Sequence, residues 1–144
     1  MIDKSKEVKT SITLVNDKLN FSGIVDGNSP ISIDYIPPLG DNLGYTSLEL
    51  LLLSFSSCLG TAVLTFLRRM QKTVSGFELS AKGIRNEEHP TGFKNIEIDI
   101  RIHSSDVKQE DLKKVVQLAE EKYCPVWAMI KGNVAIHFNY TIIE

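Results

Sequence analysis

Arginine is absent from the first 67 residues; the first in the chain is Arg68. Cysteine is nearly absent too, with only Cys58 and Cys124 in 144 residues. Two cysteines far apart in sequence cannot build the disulfide framework of a small secreted protein, and no Cys-x-x-Cys or His-x-x-x-His spacing supports a zinc site. A block of like charge is also missing. The 16 basic and 18 acidic residues are spread along the chain and leave a net charge of −2, so neither nucleic acid nor a membrane is expected as partner. The opening stretch from Met1 to Glu7 is polar and contains no apolar run that could serve as a signal peptide. The expected location is therefore the reducing cytoplasm, where a pair of cysteines is more often redox-active than structural. There is no phosphate loop, dinucleotide fingerprint or Ser-His-Asp arrangement, and no cofactor is expected. His89 falls in a turn, and His103 and His137 fall on the polar phase of their strands.

What is present reads as one domain covering residues 1–144, with N-terminal strands and a loop over 1–45 and a helix–strand core over 46–144. A hydrophobic share of 42% beside 24% charged residues is enough to fill a core. Short strands are predicted around Ile12–Leu14, Leu19–Phe21 and Ile31–Tyr35, divided by the turns Asn16-Asp17 and Asp26–Pro30. The breaker-rich loop Pro37–Gly44 follows. Leu50 to Leu67 then runs eighteen residues without a charge, long enough to span a bilayer. Ser54, Ser56, Ser57, Thr61 and Thr65 dilute it, however, and the half-buried strands need a helix to cover them. A helix apolar almost all round is usually central and buried on more than one side, which predicts a dimer whose partner supplies a second layer. Further on, Ile96, Ile98, Ile100 and Ile102 alternate with charged residues in a strict period of two. Asp106 can cap a second helix striped by Leu112, Val115, Val116, Ala119 and Tyr123. A short helix between Pro125 and Gly132 and a last strand through Val134–Ile142 complete the order βββ-α-ββ-α-α-β. Lacking regular βαβ units, that order argues α+β.

Cys58 lies mid-way along the apolar helix, on a face shared with Leu51, Ser54 and Phe55. By itself it reads first as an inert buried small hydrophobe and only second as a reactive thiol. Cys124 directly precedes Pro125, a residue favoured at the first position of a helix. The thiol should then sit at the positive end of a helix dipole, where unpaired N–H groups stabilise a thiolate. The alternative is simple packing between two helices. Thr46-Ser47-Leu48-Glu49 fits a capping box, and the nine residues from Glu49 to Cys58 turn the carboxylate to the opposite side of the helix.

Two segments taken together, Ser47–Val63 around Cys58 and Leu118–Val126 around Cys124, resemble the paired cysteine motifs of the OsmC/Ohr hydroperoxide-resistance family. The resemblance runs from about Gly44 to the C-terminus. It implies an OsmC-like fold of antiparallel sheets around a long buried central helix, in an intertwined homodimer with sites at the dimer interface. By that likeness Cys58 is the nucleophile that attacks an organic hydroperoxide, and Cys124 resolves the sulfenic acid as a disulfide. An unidentified dithiol then reduces the disulfide. Leu51, Ser54 and Phe55 would line the substrate pocket. Glu49 is a weak match to the family's glutamate, displaced by one position because Leu48 occupies the matching place. The family's N-terminal arginine has no counterpart here; Lys9 and Lys18 are the cations that could take its place. The function implied is thiol-dependent reduction of organic hydroperoxides in oxidative-stress defence. The competing readings are a non-catalytic dimer binding a small-molecule or lipid-like ligand, favoured by the missing arginine, and a structural dimer with inert cysteines.

Overall fold

The computed structural model describes residues 3–144 and divides into two compact units, one ending at Leu50 and one spanning Leu51–Glu144. The first unit carries an antiparallel sheet of β1 (Ser11–Leu14), β2 (Phe21–Ile24) and β3 (Ile31–Ile33) in that order. Its polar side chains do the fastening. Asn16 Oδ1 accepts the N–H groups of Lys18 (3.0 Å) and Asn20 (3.1 Å), closing the first turn. The buried Asp34 carboxylate accepts from Tyr35 at 2.7 Å, Leu43 at 3.0 Å and Asp41 at 3.3 Å, gathering the breaker-rich loop onto itself. Burial pushes the Asp34 carboxyl up, but these three donors outweigh it and leave the pKa below the ordinary value. Gly44 is required where it stands, because a Cβ there would collide with the Ser32 backbone. None of the strand residues in this sheet is fully buried: Ile12, Leu14, Ile24 and Ile31 all stand exposed.

Helix α1 (Ser47–Arg69) begins at the end of this unit. The expected capping box is formed: Thr46 N–H donates to Glu49 Oε1 at 2.8 Å, and Glu49 N–H donates to Thr46 Oγ1 at 3.3 Å.

From Leu51 onward, α1 packs on a sheet of β4 (Gly76–Arg85), β5 (Phe93–His103) and β6 (Ala135–Ile143). The period-two run delivers what it promised: Ile96, Ile98, Ile100 and Ile102 are fully buried, and so are Phe55, Leu59, Val63 and Leu67 of α1. Full burial of such side chains stabilises by about 1.5–3 kcal/mol each, making this the main cohesive term. Gly60 lets the helix approach β4 closely, since a Cβ there would stand 3.3 Å from the Phe77 ring. By length and composition α1 could cross a membrane, yet it buries one face against this sheet. Its other face is open, with Leu53, Ser54, Ser57 and Thr61 exposed, so within one chain the helix is buried on one side only.

Two details differ from expectation. The second sheet is mixed: β4 and β5 are antiparallel, but β6 joins β5 in parallel. Parallel neighbours need a long crossover, here carried by α2 (Gln109–Leu118), a π-helical turn (Ala119–Tyr123) and α3 (Pro125–Ile130). The chain therefore does contain one β-α-β passage, within an α+β fold. Nor does Asp106 cap α2. Its carboxylate accepts from Thr73 N–H at 2.9 Å and from Ser104 Oγ at 3.0 Å, while the helix opens two residues later with Lys108 N–H bonded to Asp111 Oδ2 at 2.9 Å.

Candidate functional site

The crossover decides where the second thiol goes. The π turn gives its last N–H, that of Cys124, to the carbonyl of Ala119 at 2.9 Å, five residues back. One extra residue in a turn rotates everything after it by about 100°. Cys124 then leaves helical geometry, with φ −107° and ψ 97°, and becomes the N-cap of α3 with Pro125 at its first position. Its sulfur accepts the Trp127 N–H at 3.4 Å, the cap predicted by the Cys-Pro pair.

The structure brings the two cysteines together. Both are free, Cys58 half-buried and Cys124 only 2% exposed, and Cys58 lies close enough to Cys124 to perturb its titration. An aromatic contact sets this approach: Phe55, one turn before Cys58, meets Trp127, one turn after Cys124, edge to face at 5.6 Å and 72°. Phe55 is fully buried and backs the thiol pair from the core; Leu51 is half-buried and Ser54 faces outward.

Electrostatics at Cys124 run against the helix-dipole argument. Burial, reinforced by the neighbouring Cys58 thiol, pushes its pKa up to about 12, and the donors from Trp127 and Val126 offset only part of that. At neutral pH Cys124 is therefore a neutral thiol. Desolvation wins because almost none of the sulfur's surroundings is water.

The other charged candidates are each engaged with local partners. Glu49 is spent on the capping box, and the Thr46 N–H followed by its hydroxyl holds the carboxyl below its ordinary range. Lys18 is paired with Asp41 at 2.9 Å, and the Arg69 guanidinium lies over the Phe66 ring at 5.4 Å. Among the described residues no cluster of three or more His, Cys, Asp or Glu could hold a metal ion. The π turn that aims Cys124 escaped the sequence reading, since Ala-Glu-Glu-Lys-Tyr carries no local signal that separates it from ordinary helix.

Comparison with known proteins places the chain and its fold in a wider set. The profile described as OsmC-like protein matches residues 40–139. Protein YhfA of Escherichia coli is 27% identical over 120 residues, covering 83% of this chain and 81% of its own. A crystal structure of a hypothetical protein from Aquifex aeolicus is 28% identical and superposes with a TM-score of 0.79, over 96% of this chain and 98% of the other. The structure of an organic hydroperoxide resistance protein OsmC from Legionella pneumophila superposes with a TM-score of 0.69 over 94% of this chain and 96% of its own. At 15% identity, that last likeness is one of fold.

Proposed function

The chain belongs to the OsmC-like protein family, and from that premise we propose that it reduces organic hydroperoxides through Cys58 and Cys124. The observation that carries this reading is the meeting of two free thiols, one accessible and one buried, from elements 66 residues apart in sequence. Structural neighbours that are organic hydroperoxide resistance proteins support peroxide defence as its setting.

In this mechanism the Cys58 sulfur, as thiolate, attacks the outer oxygen of the hydroperoxide. The O–O bond breaks, the alkoxide takes a proton and leaves as an alcohol, and Cys58 becomes a sulfenic acid. Cys124 then attacks the sulfenic sulfur. Its proton, retained at neutral pH, departs with the hydroxyl as water, and a disulfide forms. An external dithiol returns two electrons and two protons to restore both thiols. A reducing compartment such as the cytoplasm fits a resting state with both thiols free.

The same reading includes a homodimer. The open face of α1 exposes Leu53 by 53%, while two of its hydroxyls are already satisfied within the helix: Ser57 Oγ donates to the Ser54 carbonyl at 3.1 Å, and Thr61 Oγ1 to the Ser57 carbonyl at 2.8 Å. Such a face can be covered by a second copy with only the Ser54 hydroxyl left to find a partner.

The test is the intact mass of reduced protein after one equivalent of cumene hydroperoxide, without added reductant. A loss of two hydrogens within one chain, absent in both Cys58→Ser and Cys124→Ser, is expected. Two titratable thiols remaining after treatment would sink the reading. The lack of any arginine before Arg68 favours a second possibility, a family member that binds a small apolar ligand without turnover. That alternative requires saturable binding which survives loss of both thiols.

A further inference from the structure

Trp127 faces two ways. Its backbone N–H holds Cys124, while the residue, only 4% exposed, also borders a separate cleft of about 490 Å3 between α2, α3 and β6. That volume falls within the roughly 300–1,000 Å3 of small-molecule sites. Alternate residues of β6 place Ile136, Phe138 and Tyr140 on the cleft side, opposite Val116 of α2. Phe138 lies 5.4 Å from Trp127, and its ring stacks on Tyr140 at 6.2 Å with only 9° between their planes. The result is an aromatic wall suited to a flat ring.

The polar groups of the cleft are Lys113, Gln117, Glu120, Lys131 and the Tyr140 hydroxyl, of which Gln117 is held by Glu121 at 2.9 Å. Lys113 forms no ion pair among the described residues, and Lys131 is held only by Glu120 at 3.7 Å. The Tyr140 hydroxyl has no hydrogen-bond partner among the described residues, although burial pushes its pKa up. The cleft thus offers a hydrocarbon wall, an uncommitted cation and an uncommitted hydroxyl donor, with one carboxylate already facing a lysine.

We propose that this cleft is a binding site for an aromatic carboxylate, its ring against Trp127, Phe138 and Tyr140 and its charge facing Lys113 and the Tyr140 hydroxyl. The site is distinct from the thiol pair and does not depend on peroxide chemistry.

Trp127 is the only tryptophan in the chain, so its indole N–H gives a single resonance to follow by nitrogen-15 NMR. The probe is 2-naphthoate, titrated into the reduced full-length protein, with uncharged 2-naphthamide as control. A saturable shift of the indole resonance is expected. Affinity should fall about fivefold for the amide and at least that much for Lys113→Glu, the loss of one partly exposed charge pair. Tyr140→Phe should weaken binding by about two- to threefold while leaving the thermal midpoint in place. No saturable shift at millimolar probe would overturn the assignment, including the case in which a second copy fills the cleft. Equal affinity for the amide, or for Lys113→Glu, would overturn it as well.

Discussion

Cys124 is held from two directions, its N–H by the Ala119 carbonyl and its sulfur by the Trp127 N–H, with the Cys58 thiol beside it. Its raised pKa has two measurable consequences. Iodoacetamide at pH 8 should label Cys58 in the native protein and Cys124 only after denaturation, as read by peptide mass. Stability should also depend on alkaline pH. Because the folded-state pKa, about 12, lies above the ordinary 9.0, the unfolded chain loses this proton first. The stabilising contribution is complete below pH 9.0 and fades as pH rises towards 12; Cys124→Ala should remove that part of the decline in urea midpoint. Phe55, buried against Trp127, is the residue on which the approach of the two thiols turns. Phe55→Ala should cost about 3–5 kcal/mol in denaturant unfolding, with slower disulfide formation in whatever protein remains folded.

At the scale of the element, helix ends and close approaches carry the testable content. Thr46→Ala removes the cap of α1 and should lower unfolding free energy by about 1 kcal/mol without altering the thiol pair. Asp106 and Asp111 both have pKa values below the ordinary carboxyl. The first is lowered chiefly by the Thr73 N–H, the second by the Lys108 N–H with support from Lys72 at 3.3 Å. A depressed folded-state value means that their contribution is present above the ordinary carboxyl pKa and is lost as pH falls through the folded one. Acid unfolding of Asp106→Asn, followed by circular dichroism, should therefore be less steep than that of the unaltered chain. Gly83 allows the Phe93 ring to lie across β4, so Gly83→Ala displaces a ring that packs on the core.

At the scale of the molecule, the decisive question is what covers the open side of α1. Burial of Phe55, Leu59, Val63 and Leu67 accounts for one face, and Leu53, Ser54, Ser57 and Thr61 form the other. The β1–β3 sheet has no buried apolar residue either, and three thin strands of this kind are marginal without a covering layer. The proposed homodimer is a candidate cover for the open face of α1. Thr61→Arg places a charge on the uncovered face and should shift light-scattering mass from dimer to monomer. An unchanged mass would exclude this face from the interface.

Local periodicity determined much of this protein before any fold was seen. The alternating isoleucines of β5, the uncharged run of α1, the Thr46–Glu49 box and the Cys124-Pro125 cap are patterns over a few residues, where geometry follows from neighbours in the chain. The two motifs that carry the family resemblance are of the same local kind. Other features depended on groups distant in sequence. Asp106 looked like a cap until Thr73 and Ser104 offered it better donors, and β6 turned parallel because the crossover delivered it to the far edge of β5. Cys124 looked like a site for thiolate until burial outweighed the helix end, and the aromatic cleft exists only where α2 settles over β6. Hydrogen bonds within a turn are written in consecutive residues; desolvation and strand pairing are set by whatever the rest of the chain brings within reach.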